Sequence, residues 1–106
     1  MSFNGNEGGS IDISVAAALT KNYRDAHQGE IKGGFIGRTN IEKLLLGASK
    51  GIRYYYGQNA DGSPELVLVG ADENENDILS LIIDVAAKCP PNCSSVNPLN
   101  SDTQAR

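Results

Sequence analysis

Hydrophobic and polar positions are most strongly patterned between residues 51 and 71, GIRYYYGQNADGSPELVLVGA, where two runs rich in Ile, Tyr, Leu and Val flank Asp61-Gly62. Asp-Gly between β-favouring runs is a hairpin signal, so antiparallel strands are predicted over 51–57 and 65–71. A two-residue turn at Asp61 and Gly62 sets Tyr56 opposite Val67, Tyr55 opposite Leu68 and Tyr54 opposite Val69. In that register Ile52, Tyr54, Tyr56, Val67, Val69 and Ala71 share one face, and Arg53, Tyr55, Leu66, Leu68 and Gly70 share the other. Both faces are apolar, so the hairpin needs cover on each side, from helices or from a second subunit.

Upstream, Val15, Ala18, Leu19, Asn22, Tyr23 and Ala26 recur at helical spacing. They predict a helix over 14–27 with Ser14 as N-cap and Gln28-Gly29 as its stop. Ile11 and Ile13 around Asp12 leave a short lead-in strand as the alternative. Thr39-Asn40-Ile41-Glu42 has the form of a capping box and predicts a second helix over 40–49, with Ile41, Leu44, Leu45 and Ala48 inward. The run 78–88, ILSLIIDVAAK, is dense enough in apolar residues for a buried helix or a strand. Its length and the Pro-Pro that follows predict a third helix over 77–88, against the β-branched Ile82, Ile83 and Val85. Residues 31–37, IKGGFIG, read as a short edge strand or a close-approach loop. The predicted class is therefore α+β, a small antiparallel sheet centred on the hairpin and packed against two or three helices. Residues 1–10 form a flexible arm, 11–88 a single domain and 89–106 an extended or disordered tail.

Composition narrows the setting. The chain has 106 residues, 40% hydrophobic and 21% charged, which is one small globular domain. A core of that size gains from oligomerisation, so a homo-oligomer is expected. A net charge of −4 opposes binding to nucleic acid or to an anionic membrane surface. With no apolar run near the roughly 20 residues of a membrane span and no basic-then-apolar opening, the expected location is cytoplasmic.

Candidate chemistry is sparse. Gly33, Gly34 and Gly37 lack the spacing of either phosphate-binding fingerprint and read as structural glycines. Asp72, Asn74 and Asn76 match the first ligand positions of a calcium loop, but Asp77 replaces its sharp-turn glycine and Ile83 its closing glutamate, leaving a solvated turn. Lys21, Arg24 and His27 read as a solvated helix face, with His27 at a helix C-terminus that favours a cation. Cys89-Pro90-Pro91-Asn92-Cys93 is the remaining motif, and the thiol candidates Cys89 and Cys93 are open to a local disulfide, to free thiols or to soft-metal ligation. No catalytic constellation, metal triad or cofactor fingerprint emerges, and no cofactor is expected. Tyr54, Tyr55 and Tyr56 with Leu68 are the candidate contact surface, because aromatic anchors are enriched at protein contacts; packing within the sheet is the alternative.

The chain resembles a group of small uncharacterised bacterial proteins. The resemblance lies in TKNYR at 20–24, IKG at 31–33, FIG at 35–37, GIRYYYG at 51–57, LVLVG at 66–70 and the C-P-P-x-C segment, and so covers most of the chain. It implies neither an activity nor site residues. The expected function is a small soluble binding or assembly module that self-associates through apolar sheet or helix surfaces. The alternative is a thiol-redox or metal-binding protein using Cys89 and Cys93.

Overall fold

The structure is a computed structural model describing residues 2–84 and 87–101. Met1, Val85 and Ala86 of the predicted third helix, and residues 102–106 of the predicted tail, lie outside the described residues. Along the chain run α1 (Ile13–Ala26), β1 (Gly33–Phe35), α2 (Arg38–Leu44), β2 (Gly51–Gln58), β3 (Pro64–Ala71), β4 (Asp77–Asp84) and β5 (Ala87–Cys89). The fold is α+β with antiparallel sheets, and the larger sheet is centred on the predicted hairpin. The chain divides into two units, Met1–Gly8 with Ile36–Ala86, and Gly9–Phe35 with Ala87–Arg106.

In the first unit the sheet order is β2-β3-β4. The hairpin forms, but its register differs from the predicted one by a single residue: Tyr54 faces Leu68, Tyr55 faces Val67 and Tyr56 faces Leu66. The cause is the loop. Asn59 N–H donates to Ser63 C=O at 2.8 Å, Gly62 N–H donates to Asn59 C=O at 2.9 Å, and Gly62 has φ 89°. This is a three-residue loop of Ala60, Asp61 and Gly62, a tight turn closed by a left-handed glycine. Asp61 Oδ1 accepts from both the N–H and the hydroxyl of Ser63, at 3.0 and 2.7 Å. An odd loop in place of an even one slips the pairing by one and exchanges the faces of one strand relative to the other.

The predicted helix over 77–88 is corrected too. Residues 77–84 form β4, paired with β3 as Val67–Asp84, Leu68–Ile83 and Val69–Ile82, then Gly70–Ile78 and Ala71–Asp77. Two physical terms favour the strand: the β-branched Ile78, Ile82 and Ile83, and a tight turn that returns the chain onto the free edge of β3. In that turn Asp72 Oδ1 accepts from the N–H groups of Asn74 and Asn76 at 2.9 and 3.0 Å, and Glu75 takes a left-handed φ of 69°. The acidic stretch is thus a hairpin turn and does not cap a helix.

α2 begins at Arg38 behind Gly37, with no side-chain cap bond, so the predicted capping box is absent: Thr39 lies within the first turn and not at the cap position. The helix ends at Leu44, short of the predicted 49. Leu44 is buried, while Leu45, predicted inward, is exposed. The buried apolar core among the described residues is Leu44, Val69 and Ala71.

In the second unit α1 starts at Ile13, with Asp12 and not Ser14 at the N-cap, which removes the lead-in strand alternative. Its exposure inverts the predicted stripe. Ala16, Ala17, Thr20, Arg24 and His27 are half-buried, whereas Val15, Leu19 and Tyr23 are exposed. Gly33–Phe35 forms the short strand β1, which pairs antiparallel with β5. Beyond β5, Asn97 and Asn100 organise a turn: Asn97 N–H donates to Asn100 Oδ1 at 3.0 Å and Leu99 N–H to Asn97 Oδ1 at 2.8 Å. Arg24 and Lys32 donate to the carbonyls of Leu99 and Asn100 at 2.9 and 2.7 Å.

The tightest backbone approach is at Gly70. A Cβ there would lie 2.7 Å from the Leu44 carbonyl oxygen and 3.1 Å from Ser49 Oγ. Gly70→Ala is therefore expected to destabilise the fold by about 1–3 kcal/mol, because the obstacle is backbone and cannot rotate away. Chemical denaturation followed by circular dichroism checks this; unchanged stability would show that α2 does not seat on β3.

Candidate functional site

Cross-strand partners share a face, so the observed register assigns the candidate residues anew. One face carries Ile52, Tyr54 and Tyr56 from β2, Leu66, Leu68 and Gly70 from β3, and Ile78 and Ile83 from β4. The other carries Arg53 and Tyr55, Val67, Val69 and Ala71, and Asp77, Ile82 and Asp84. The structure brings Tyr54, Tyr56 and Leu68 together and separates Tyr55 from them. Leu66 joins the group, a residue the predicted register had assigned to the opposite side from Tyr56.

The two faces differ in how they are covered. α2 and the segment after it approach the first face at Gly70. An α-helix of seven residues is about 10 Å long, whereas eight residues of strand run about 27 Å. The far end of the face therefore extends beyond α2, and there Tyr54 is 57% and Tyr56 86% exposed. The two rings meet edge to face, with centroids 5.8 Å apart and planes at 75°, and lie opposite the half-buried Leu68 and Leu66.

On the other face the side chains engage one another. Arg53 Nη1 donates to Asp77 Oδ1 at 2.5 Å and to the Glu75 carbonyl at 3.0 Å, and the Tyr55 hydroxyl donates to Asp77 Oδ2 at 2.6 Å. The Arg53 guanidinium also lies over the Phe3 ring, 5.4 Å from its centroid. Both Asp77 oxygens are occupied by donors. The Tyr55 hydroxyl, followed by the Arg53 guanidinium, holds the Asp77 carboxyl below the ordinary carboxylate range, and the same bond to Asp77 raises the Tyr55 hydroxyl. Such a carboxylate is an acceptor locked in place and not a base. Sequence reasoning missed Asp77 as a partner because it treated 77–88 as a helix. A lone arginine in β2 and an acid at the start of a third strand are the signal that would have found it.

The remaining candidates are occupied locally. Cys89 and Cys93 are joined in a disulfide, with Cα atoms 4.7 Å apart. Lys21 pairs with Asp25 at 2.7 Å. His27 stacks on Tyr23 with centroids 4.1 Å apart and lies 3.6 Å from Glu30 Oε2. Among the described residues no group of three His, Cys, Asp or Glu is arranged to hold a metal ion, and no helix is long and apolar enough to cross a membrane.

The sign of the pH dependence follows from the Asp77 cluster. Asp77 titrates lower in the folded chain than in the unfolded one, so its contribution is present above about pH 4 and is lost as pH falls through the folded value. Tyr55 titrates higher when folded, so its contribution is present below about pH 10 and is lost as pH rises further. Asp77→Asn is expected to lower the denaturation midpoint at pH 7 and to flatten the loss of stability between pH 5 and pH 2. An acid limb as steep as that of the unsubstituted chain would show that other carboxylates carry it.

Comparisons of this chain with models of protein families, with curated proteins and with solved structures gave no match.

Proposed function

We propose that this chain is a binding or assembly module that self-associates, with Tyr54, Tyr56, Leu66 and Leu68 as its contact. The observation that carries the reading is the pair of exposed, mutually packed tyrosines on the part of the sheet face that α2 does not reach. Aromatic anchors of this kind dominate protein contacts because they bring large rigid area at small entropic cost. A buried aromatic contributes about 150–250 Å². Scaled by their exposures of 57% and 86%, two tyrosines from each of two copies supply at most roughly 600 Å². That is about a third of a standard interface of about 1,600 Å², so Leu66, Leu68 and neighbouring backbone must supply the rest. The reading is of a cytoplasmic homo-oligomer, bacterial as the resemblance implies, and the net charge of −4 speaks against nucleic-acid or anionic-membrane partners.

A second reading, thiol–disulfide exchange at Cys89 and Cys93, draws on the exposure of Cys93 and the disulfide between the two. A cytoplasmic chain would hold these cysteines reduced, so the two readings separate on reduction.

Light scattering over a concentration series, with and without reductant, tests both. A dimer or larger assembly that is insensitive to reductant is expected. The double substitution Tyr54→Ser with Tyr56→Ser is expected to raise the dissociation constant about 30-fold or more, the scale of a lost aromatic hot spot. Tyr55→Phe, on the other face, is expected to leave it within about threefold. A chain that stays monomeric at millimolar concentration would overturn the assembly reading, and an assembly that dissolves on reduction would favour the thiol reading.

A further inference from the structure

The tyrosine face accounts for side chains and leaves the backbone of β2 unassigned. β2 is an edge of its sheet, paired with β3 on one side only. The Asn59-to-Ser63 bond sets the alternation, so that Gly57/Glu65, Tyr55/Val67 and Arg53/Val69 are the pairs that exchange backbone bonds. The N–H and C=O groups of Ile52, Tyr54, Tyr56 and Gln58 therefore point away from β3. Among the described residues none bonds to these outward groups.

Natural edge strands discourage pairing by being short, by carrying lysine or proline, or by bulging. β2 has eight residues, contains neither lysine nor proline, and keeps an unbroken register with β3. Its one charge, Arg53, is ion-paired with Asp77 on the face opposite Tyr54 and Tyr56. The other edge is different. The β3–β4 register jumps between Val69 and Gly70, leaving Leu79, Ser80 and Leu81 without partners on β3. A bulge of that kind bends the strand and ends regular pairing. The sheet thus has one straight edge, whose single charge is paired within the chain, and one irregular edge.

We propose that β2 is the joining edge of a twofold dimer, in which β2 of one copy pairs antiparallel with β2 of a second copy to form a continuous six-stranded sheet. The inference rests on the self-association proposed above and supplies its geometry. An antiparallel copy of the strand presents the same outward groups in the complementary order, so even-numbered residues meet even-numbered residues. Cross-strand partners share a face, which sets Tyr54, Tyr56, Leu66 and Leu68 of both copies side by side in one apolar surface. Such a joint is isologous and consumes the open edge of each chain, so association closes at two copies and does not propagate.

Amide hydrogen exchange on the full chain, above and below the dissociation constant measured by light scattering, tests the pairing. The N–H groups of Ile52, Tyr54 and Tyr56 are expected to exchange at least tenfold more slowly in the dimer than in the dilute chain. Tyr56→Pro, compared with Tyr56→Ala, isolates the backbone term: both remove the ring, but only proline removes the outward N–H, a position an edge strand tolerates. The proline variant is expected to bind itself roughly tenfold or more weakly than the alanine variant, since each dimer loses two interchain bonds. Equal exchange of these amides in dimer and dilute chain overturns strand pairing and leaves the face contact standing. Should Tyr56→Pro fail to fold, exchange on the unsubstituted chain decides alone. A chain monomeric at every concentration overturns both proposals.

Discussion

Gly62, at φ 89°, closes a loop of three residues between Asn59 and Ser63, and the odd count of that loop determines which side chains meet across the sheet. With two loop residues Tyr56 would stand beside Val67, and Leu68 beside Tyr55. With three, Tyr54 and Tyr56 stand beside Leu68 and Leu66, while Arg53 and Tyr55 turn to the face that holds Asp77. By alternation along β3, Gly70 falls on the face that α2 approaches, so no side chain meets the Leu44 carbonyl, 2.7 Å from where a Cβ would lie. The loop sets the β2–β3 register, and the glycine lets α2 and the segment after it approach β3.

The two faces then take different tasks for a geometric reason. A short helix cannot roof a full strand, because a residue advances about 1.5 Å in a helix and about 3.4 Å in a strand. Among its described residues the first unit has one helix, of seven residues, against strands of eight. Part of one apolar face is left beyond its cover, and the other face is tied instead by the Arg53, Tyr55 and Asp77 cluster, which links β2 to β4 across β3. Hydrogen bonds to an ionised group are roughly twice as strong as neutral ones, so a few polar side chains can fasten that face without a second helix.

The legible parts of the sequence were those with strong local signals. β-rich runs around Asp-Gly gave the hairpin, alternation gave its strands, and the spacing of apolar residues gave α1. The errors lie where two states differ by one small term. A two-residue and a three-residue loop share the same Asp-Gly, and the choice between them appears only in the Asn59 and Ser63 bonds. The run 78–88 holds both helix-forming and β-branched residues, and the vacant edge of β3, a tertiary partner invisible to a local pattern, favours the strand. In α1 the small residues Ala16, Ala17 and Thr20 turn inward and Val15, Leu19 and Tyr23 outward, the reverse of what hydrophobicity alone predicts.

The position of Arg53 ties the electrostatics to the open edge. A charge in an edge strand ordinarily wards off a neighbouring strand, because its partner would have to strip its water without compensation. Arg53 already has that compensation within its own chain: the Asp77 carboxylate, the Glu75 carbonyl and the face of Phe3 surround its guanidinium. It also lies on the face opposite Tyr54 and Tyr56, so the apolar surface carries no charge of its own. The acid that opens β4 therefore does more than fasten two strands. By satisfying the one cation of β2 internally, it leaves that edge defined by backbone donors and acceptors flanked by aromatic rings, which a second β2 matches group for group.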